Sequence, residues 1–115
     1  MARRPMPDAV RNAFDAELQA AGYSEGQARW DHLERAHILS QPWAWPHVKV
    51  HGLMLRQGLR ERDRREAIGQ VVRLIVAGPG SLAGRYPSGN SGRATVPMMK
   101  PAPVPPDLAA LLDRV

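Results

Sequence analysis

Cysteine is absent from this chain. That absence removes disulfides, thiolate zinc sites, iron–sulfur clusters and cysteine nucleophiles together. A bound metal would have to be held by imidazole, carboxylate or water. Aromatic residues are scarce at 5%, with Phe14 alone of its type, so the core is expected to be built mostly from Leu, Val, Ile and Ala. Long apolar runs are missing too. The longest, Gln70–Ala77, falls far short of the ~20 residues that span a membrane, so no membrane partner is expected. The basic start Met-Ala-Arg-Arg runs into Pro-Met-Pro-Asp and not into an apolar h-region. No secretory signal is read there, and the expected location is cytoplasmic.

What the chain does have is enough for one modest core. Its 115 residues suit a single domain, residues 1–115, and an apolar content of 43% is that of a globular protein. The net charge of +5 and the isoelectric point near 10.7 raise nucleic acid as a partner. The basic residues are nearly all Arg, however, and they are scattered. Only Arg56 to Arg65 is dense, and Glu61 and Asp63 interrupt it. Alternating signs of this kind are usual on a solvated helix junction, so nucleic acid is disfavoured.

Periodicity predicts an all-α fold: a small antiparallel bundle of about four helices in residues 7–77. The first runs from Pro7 to Ala21 with Val10, Ala13, Phe14, Leu18 and Ala21 in one stripe, ended by Gly22. Ser24-Glu-Gly-Gln27 has the form of a capping box and opens the second, Glu25 to Leu39. The string Gln41-Pro-Trp-Ala-Trp-Pro46 breaks it, and the third continues from Pro46 to Arg60. The fourth covers Asp63 to Ala77, with Ala67, Ile68, Val71, Val72 and Ile75 as its apolar face and Gly78-Pro79-Gly80 as its stop. Residues 78–106 are rich in Gly and Pro and are read as an extended arm, docked through Leu82, Tyr86, Val96, Met98, Met99 and Val104. A short terminal helix follows at 107–115, with Leu108, Leu111 and Leu112 available for packing.

The histidines are the one constellation that points to chemistry. His32 and His37 fall on the second helix, His47 and His51 on the third, and there are no others. Positions 47 and 51 are one turn apart on one face, and that stripe continues through Val50, Met54 and Leu55 toward the core. Glu34 and His37 share a face in a Glu-x-x-His pair, the form that carboxylate-bridged di-iron bundles use from each of two helices, but only one such pair exists here and no di-iron pattern is read. Folding the second helix back on the third brings His37 toward His47, and Leu33 or Glu34 toward His51. Glu34, His37, His47 and His51 are therefore the expected ligands, with His32 peripheral, because it lies about 140° from His37 around the helix. Neutral imidazoles with a carboxylate suit a divalent transition metal: Zn, Fe, Mn, Ni or Cu. With an open position such a site could activate water or bind oxygen. A buried histidine is also commonly a hydrogen-bonded structural residue, and that alternative stands beside the metal reading.

Other features carry less. Gly78–Gly84 and Ser88–Gly92 are glycine-rich but lack the Gly-Lys-Ser/Thr ending of a phosphate loop. Trp43 and Trp45 could wall the site or anchor the hairpin, and anchoring is favoured. Met98 and Met99 are read as gap-fillers ahead of soft copper(I) ligands.

The chain resembles the small bacterial proteins of the domain of unknown function 3703 family. The resemblance rests on His32-Leu-Glu-Arg-Ala-His-Ile-Leu-Ser-Gln41, His47-Val-Lys-Val-His51 with Met54-Leu55-Arg56, Gly89-Asn-Ser-Gly92, and Pro103-Val-Pro-Pro-Asp-Leu-Ala-Ala-Leu111. It covers Asp15 to the end and implies a single domain with no assigned reaction. It also implies that His32, Glu34, His37, His47 and His51 belong to the family pattern. The string Leu33-Glu-Arg-Ala-His-Ile-Leu39 also looks like the second helix of a tetratricopeptide-type hairpin. Two functions follow from the sequence: a metal-binding helical protein that is an enzyme, sensor or carrier, or a non-enzymatic tetratricopeptide-like module. The second would bind a protein partner or a second copy of itself.

Overall fold

In the computed structural model, which describes residues 5–113, the chain folds into α1 (Asp8–Gly22), α2 (Gly26–Ser40), α3 (Ala44–Arg60), α4 (Arg64–Leu82) and α5 (Pro106–Leu112). No strand occurs among the described residues, and the fold is all-helical. The basic start at residues 1–4 and the last two residues of the expected terminal helix lie outside the described residues. Helix α1 packs on α2, α2 on α3 and α3 on α4, while α5 closes against α1 and α2.

The apolar stripes of α1 and α3 do what their spacing predicts. Val10, Phe14 and Ala21 of α1 meet Trp30, Leu33, Ala36 and Leu39 of α2, with Val50 and Met54 of α3 beneath them. Arg29 ties the α1–α2 turn to α3, donating from Nε to the Ala21 and Ser24 carbonyls and from a terminal nitrogen to Gln57 Oε1. The expected capping box does not form. Ser24 Oγ turns back to donate to the Ala20 carbonyl, and the N-cap is Glu25, whose side chain makes no cap bond. Between α3 and α4 the turn is made by Arg62 at φ 57°, and the Asp63 side chain accepts from Glu66 N at 3.0 Å.

Helix α4 departs from the expectation in two ways. First, Gly78-Pro79-Gly80 does not stop it; the helix runs one further turn to Leu82, so the helical core extends beyond 77. Pro79 is exposed and removes a single backbone donor, and the extra turn carries Ser81 to a fully buried position. Second, the helix is rotated. The apolar row Ile68, Val71, Val72 and Ile75 faces outward, at 65, 46, 45 and 71% exposure, while Glu66, Gln70, Ala77 and Ser81 face α3. An inner face of a carboxylate, an amide and a hydroxyl runs against the hydrophobic drive. It persists because each of those groups finds a partner inside.

After α4 the chain crosses the molecule as a non-helical arm. The Asn90 side chain holds it, donating to the Pro97 and Lys100 carbonyls and accepting from Gly92 N. Gly89, at φ 79°, lies so close to the Ala102 carbonyl that no side chain fits there. Leu108 of α5 is 2% exposed in the common core, and Arg35 of α2 pairs with both Asp107 and Glu17. Truncating Leu108 to Ala is expected to cost about 2–4 kcal/mol. Ile75→Ala, on the rotated face of α4, should cost under about 1 kcal/mol in dilute solution. Urea unfolding followed by circular dichroism measures both.

Candidate metal centre

Helix α2 ends, and α3 begins, around a short turn at Gln41–Trp43. His37 in the last turn of α2 therefore faces His47 and His51 in the first two turns of α3. Their Nε2 atoms form a near-equilateral triangle: His37 to His47 3.0 Å, His37 to His51 3.1 Å and His47 to His51 3.1 Å. The ring centroids are 4.7–4.8 Å apart. All three side chains are buried, at 3, 6 and 2% exposure.

The outward nitrogens decide what this triangle is. His37 Nδ1 lies 2.7 Å from the Asn90 backbone carbonyl, which can only accept, so Nδ1 carries the proton. His51 Nδ1 lies 2.7 Å from Gln70 Oε1. The Gln70 amide nitrogen is turned away, donating to Glu66 Oε2 and the Gly92 carbonyl. His51 Nδ1 is therefore the donor as well. His47 Nδ1 lies 2.8 Å from Ser81 Oγ, and that hydroxyl spends its one proton on the Gln41 carbonyl. All three rings are thus Nδ1–H tautomers, and three bare Nε2 lone pairs converge on one point. No proton lies between those nitrogens, so the short Nε2 separations are not hydrogen bonds. Three mutually facing acceptors repel one another unless a cation lies among them.

Protonation does not relieve this. Burial, followed by the positive charge His51 and His47 would carry, holds His37 well below the ordinary histidine range. Burial and the neighbouring His51 bring His47 down to about 3. Burial and, secondarily, the Arg73 guanidinium bring His51 to about 4, against the upward pull of its bond to Gln70. The site is built for neutral imidazoles.

Supporting residues come from parts of the chain that carry no histidine. Gly92, at φ 86°, presses flat on the His37 ring; a Cβ there would stand 2.7 Å from Cδ2. Glu66, 1% exposed, accepts from Gln70, from Ala94 N at 2.8 Å and from Arg93 Nε at 2.7 Å. Burial alone would raise its carboxyl, but these donors together hold it below the ordinary carboxylate range. Arg93 also lies 3.7 Å over the Trp30 ring.

Two of the five residues grouped from the sequence stand apart. Glu34 is paired with Arg93 at 3.4 Å and is half-buried, its carboxyl raised by that burial against the pull of Arg93. His32 lies on the far side of α2, with Nδ1 2.8 Å from Glu17 Oε2. His37, His47 and His51 are the group among the described residues whose geometry could hold a metal ion. Trp43 belongs to the core and Trp45 is 78% exposed; neither lines the site. A cavity with about 40 Å³ of open space abuts the three rings, walled by Arg73, Val76, Arg85, Tyr86, Met98 and Met99 among others.

Fold and site together define a helical protein whose buried triad of imidazoles opens on a small pocket. The profile of a family described as protein of unknown function (DUF3703) matches residues 8–112. The chain belongs to that family. No curated protein and no solved structure matches it.

The depressed histidines make the metal-free protein sensitive to acid in one direction. The unfolded chain binds protons at the ordinary value near 6.5, while the folded chain refuses them until pH 4 or below. Their contribution to stability is therefore full above about pH 7 and is lost as pH falls from 6.5 toward 4. With three such groups the slope should approach roughly 4 kcal/mol per pH unit. Urea titrations of chelator-treated protein between pH 7.5 and 4.5 measure it, and the steepening should vanish in a His37→Gln/His47→Gln/His51→Gln variant that remains folded.

Proposed function

We propose that the protein binds one divalent transition metal ion through Nε2 of His37, His47 and His51. The observation that carries the reading is the enforced tautomer: three neutral acceptors, each oriented by a hydrogen bond from its own Nδ1, as ligating histidines ordinarily are. With their Nε2 atoms 3.0–3.1 Å apart, the three rings would hold such an ion together from one side. That is a facial cap, with its remaining positions free for a ligand from the pocket. Sites whose task is structural are usually closed by a fourth protein ligand, whereas catalytic sites keep a position open. The reading is accordingly a reactive or exchangeable metal centre. Imidazole donors suit Zn, Fe, Mn, Ni or Cu. Glu34 and His32 are not ligands in this proposal, since each is held by a partner outside the triangle.

Metal analysis of untagged protein is expected to give near one equivalent, lost in His47→Ala/His51→Ala. Added metal at ~100 times its Kd should stabilise the wild type by about 2.7 kcal/mol and leave the variant unmoved. An identical melt with and without metal, across all five ions, contradicts the reading.

The second reading, an interaction module, is favoured by the outer face of α4. Ile68, Val71, Val72, Ile75 and Val76 expose on the order of 500 Å² of apolar surface, at the upper end of what a monomer leaves in water. The row follows helical spacing and is complementary to itself, so the occupant we propose is a second copy, helix against helix about a two-fold axis. The dimer leaves the metal reading intact. Light scattering should give twice the chain mass at micromolar concentration, and Ile75→Lys/Val72→Lys should return it to a monomer with metal still bound. A wild type that is monomeric throughout, or that instead binds lipid vesicles through this face, contradicts it.

A further inference from the structure

The charges around the three histidines do not balance. A divalent ion on neutral imidazoles keeps its full double charge, and metal centres commonly offset this with carboxylates behind the ligating rings. Here the three groups behind the rings are a backbone carbonyl, a hydroxyl and an amide, all neutral. Glu66 stands one residue further out, beyond Gln70, and is already engaged by Arg93 and Ala94 N. Glu34 is paired with Arg93. Neither reaches the cavity.

The cavity itself adds positive charge. No Asp or Glu lines it, whereas Arg73 and Arg85 do. Arg73 is held in place by bonds to the Gly69 and Val96 carbonyls. Arg85 is exposed at the edge of the cavity and pairs with no carboxylate among the described residues. A metal ion and two guanidinium groups around a part-buried space would leave charge without compensation, which proteins avoid.

We propose that the open coordination position takes a small oxyanion, drawn in and held by Arg85 and Arg73. This rests on the metal reading given above. The chemistry is that of a carboxylate, bicarbonate or phosphate group, one oxygen facing the metal and the others facing the planar donors of arginine. About 40 Å³ of open space admits the charged head of such a group. Val76, Ala77 and Met98 along the wall suit a short apolar substituent, so a carboxylate carrying one should bind more tightly than bicarbonate or phosphate.

The test uses the full chain loaded with cobalt(II), whose visible spectrum reports its coordination. Acetate, propionate, bicarbonate and phosphate are titrated separately at constant ionic strength. A saturable spectral change with at least one of them is expected. Arg85→Ala should weaken that anion by about fivefold or more without weakening cobalt binding, with Arg85→Lys in between. The order of the four anions identifies the source, carboxylate ahead of bicarbonate and phosphate. Spectra that none of the four moves would overturn the inference while leaving the metal reading standing. So would anion affinities that are equal in the wild type, Arg85→Ala and Arg73→Gln. Failure of cobalt to bind at all would overturn both.

Discussion

Three hydrogen bonds hold this molecule to its purpose: those from Nδ1 of His37, His47 and His51 to Asn90 O, Ser81 Oγ and Gln70 Oε1. Each acceptor comes from outside the helix hairpin that bears the histidines, and each makes a demand on the fold. To present Gln70 and Ser81, α4 must turn its polar face inward, leaving its apolar row in water. To bring Ser81 within reach, it must run through Pro79 for one more turn. To lay the Asn90 carbonyl against His37, the arm must cross the top of the bundle, and only glycine fits against the ring at position 92. Several local preferences are overridden for the sake of one triangle of nitrogens. Departures from the simplest packing are expected to gather at a functional site.

Behind the triangle lies a second layer that makes these overrides tolerable. Glu66 is a carboxylate in the interior, and its two oxygens take bonds from Gln70, Arg93 and a backbone N–H of the arm. Arg93 stacks on Trp30, whose indole N–H donates to Glu61 at the end of α3. The chain of contacts thus runs from His51 through Gln70 and Glu66 to α2, α3 and the arm. It positions the amide of Gln70 by its nitrogen, which leaves the oxygen for His51. Apart from the three bare Nε2 atoms of the triangle, no buried side-chain nitrogen or oxygen among the described residues lacks a partner. Such networks are worth most when complete, since a half-satisfied one costs more than an apolar core.

Much of this was legible in the residues. The all-helical fold, the order of five helices and the apolar stripes of α1 and α3 follow from spacing. So does the meeting of His37, His47 and His51, because a short turn and the i, i+4 rule leave the rings little choice. Glu34 and His32 were grouped with them on different grounds. Glu34 shares a face with His37, but the arginine that captures it sits at position 93, and no local pattern shows where the arm lies. His32 points to α1, as its angle on the helix implied. The rotation of α4 was hidden by its strongest signal, since Ile68, Val71, Val72 and Ile75 make a better apolar stripe than the face it buries. The spacing of Glu66, Gln70, Ala77 and Ser81 along one side of the helix was a sign of a polar inner face. It reads as such only once a buried polar site is known to await it. Ser81 was lost behind the glycine–proline stop, and Asn90 meets His37 through its backbone carbonyl, a contact that side-chain identity does not report, while its side chain holds the arm.

The central claim is that every one of the three rings carries its proton on Nδ1 and offers a bare Nε2 to the same point. Long-range proton–nitrogen correlation spectra of the metal-free protein, with all four histidines labelled with nitrogen-15, test it directly. The account predicts, at neutral pH, protonated-type Nδ1 and unprotonated-type Nε2 shifts for His37, His47 and His51. On adding metal, the three Nε2 resonances alone should move or broaden. A proton on Nε2 of any of the three, bridging to a neighbour as an ordinary hydrogen bond, would contradict the account and make the cluster a structural core of histidines.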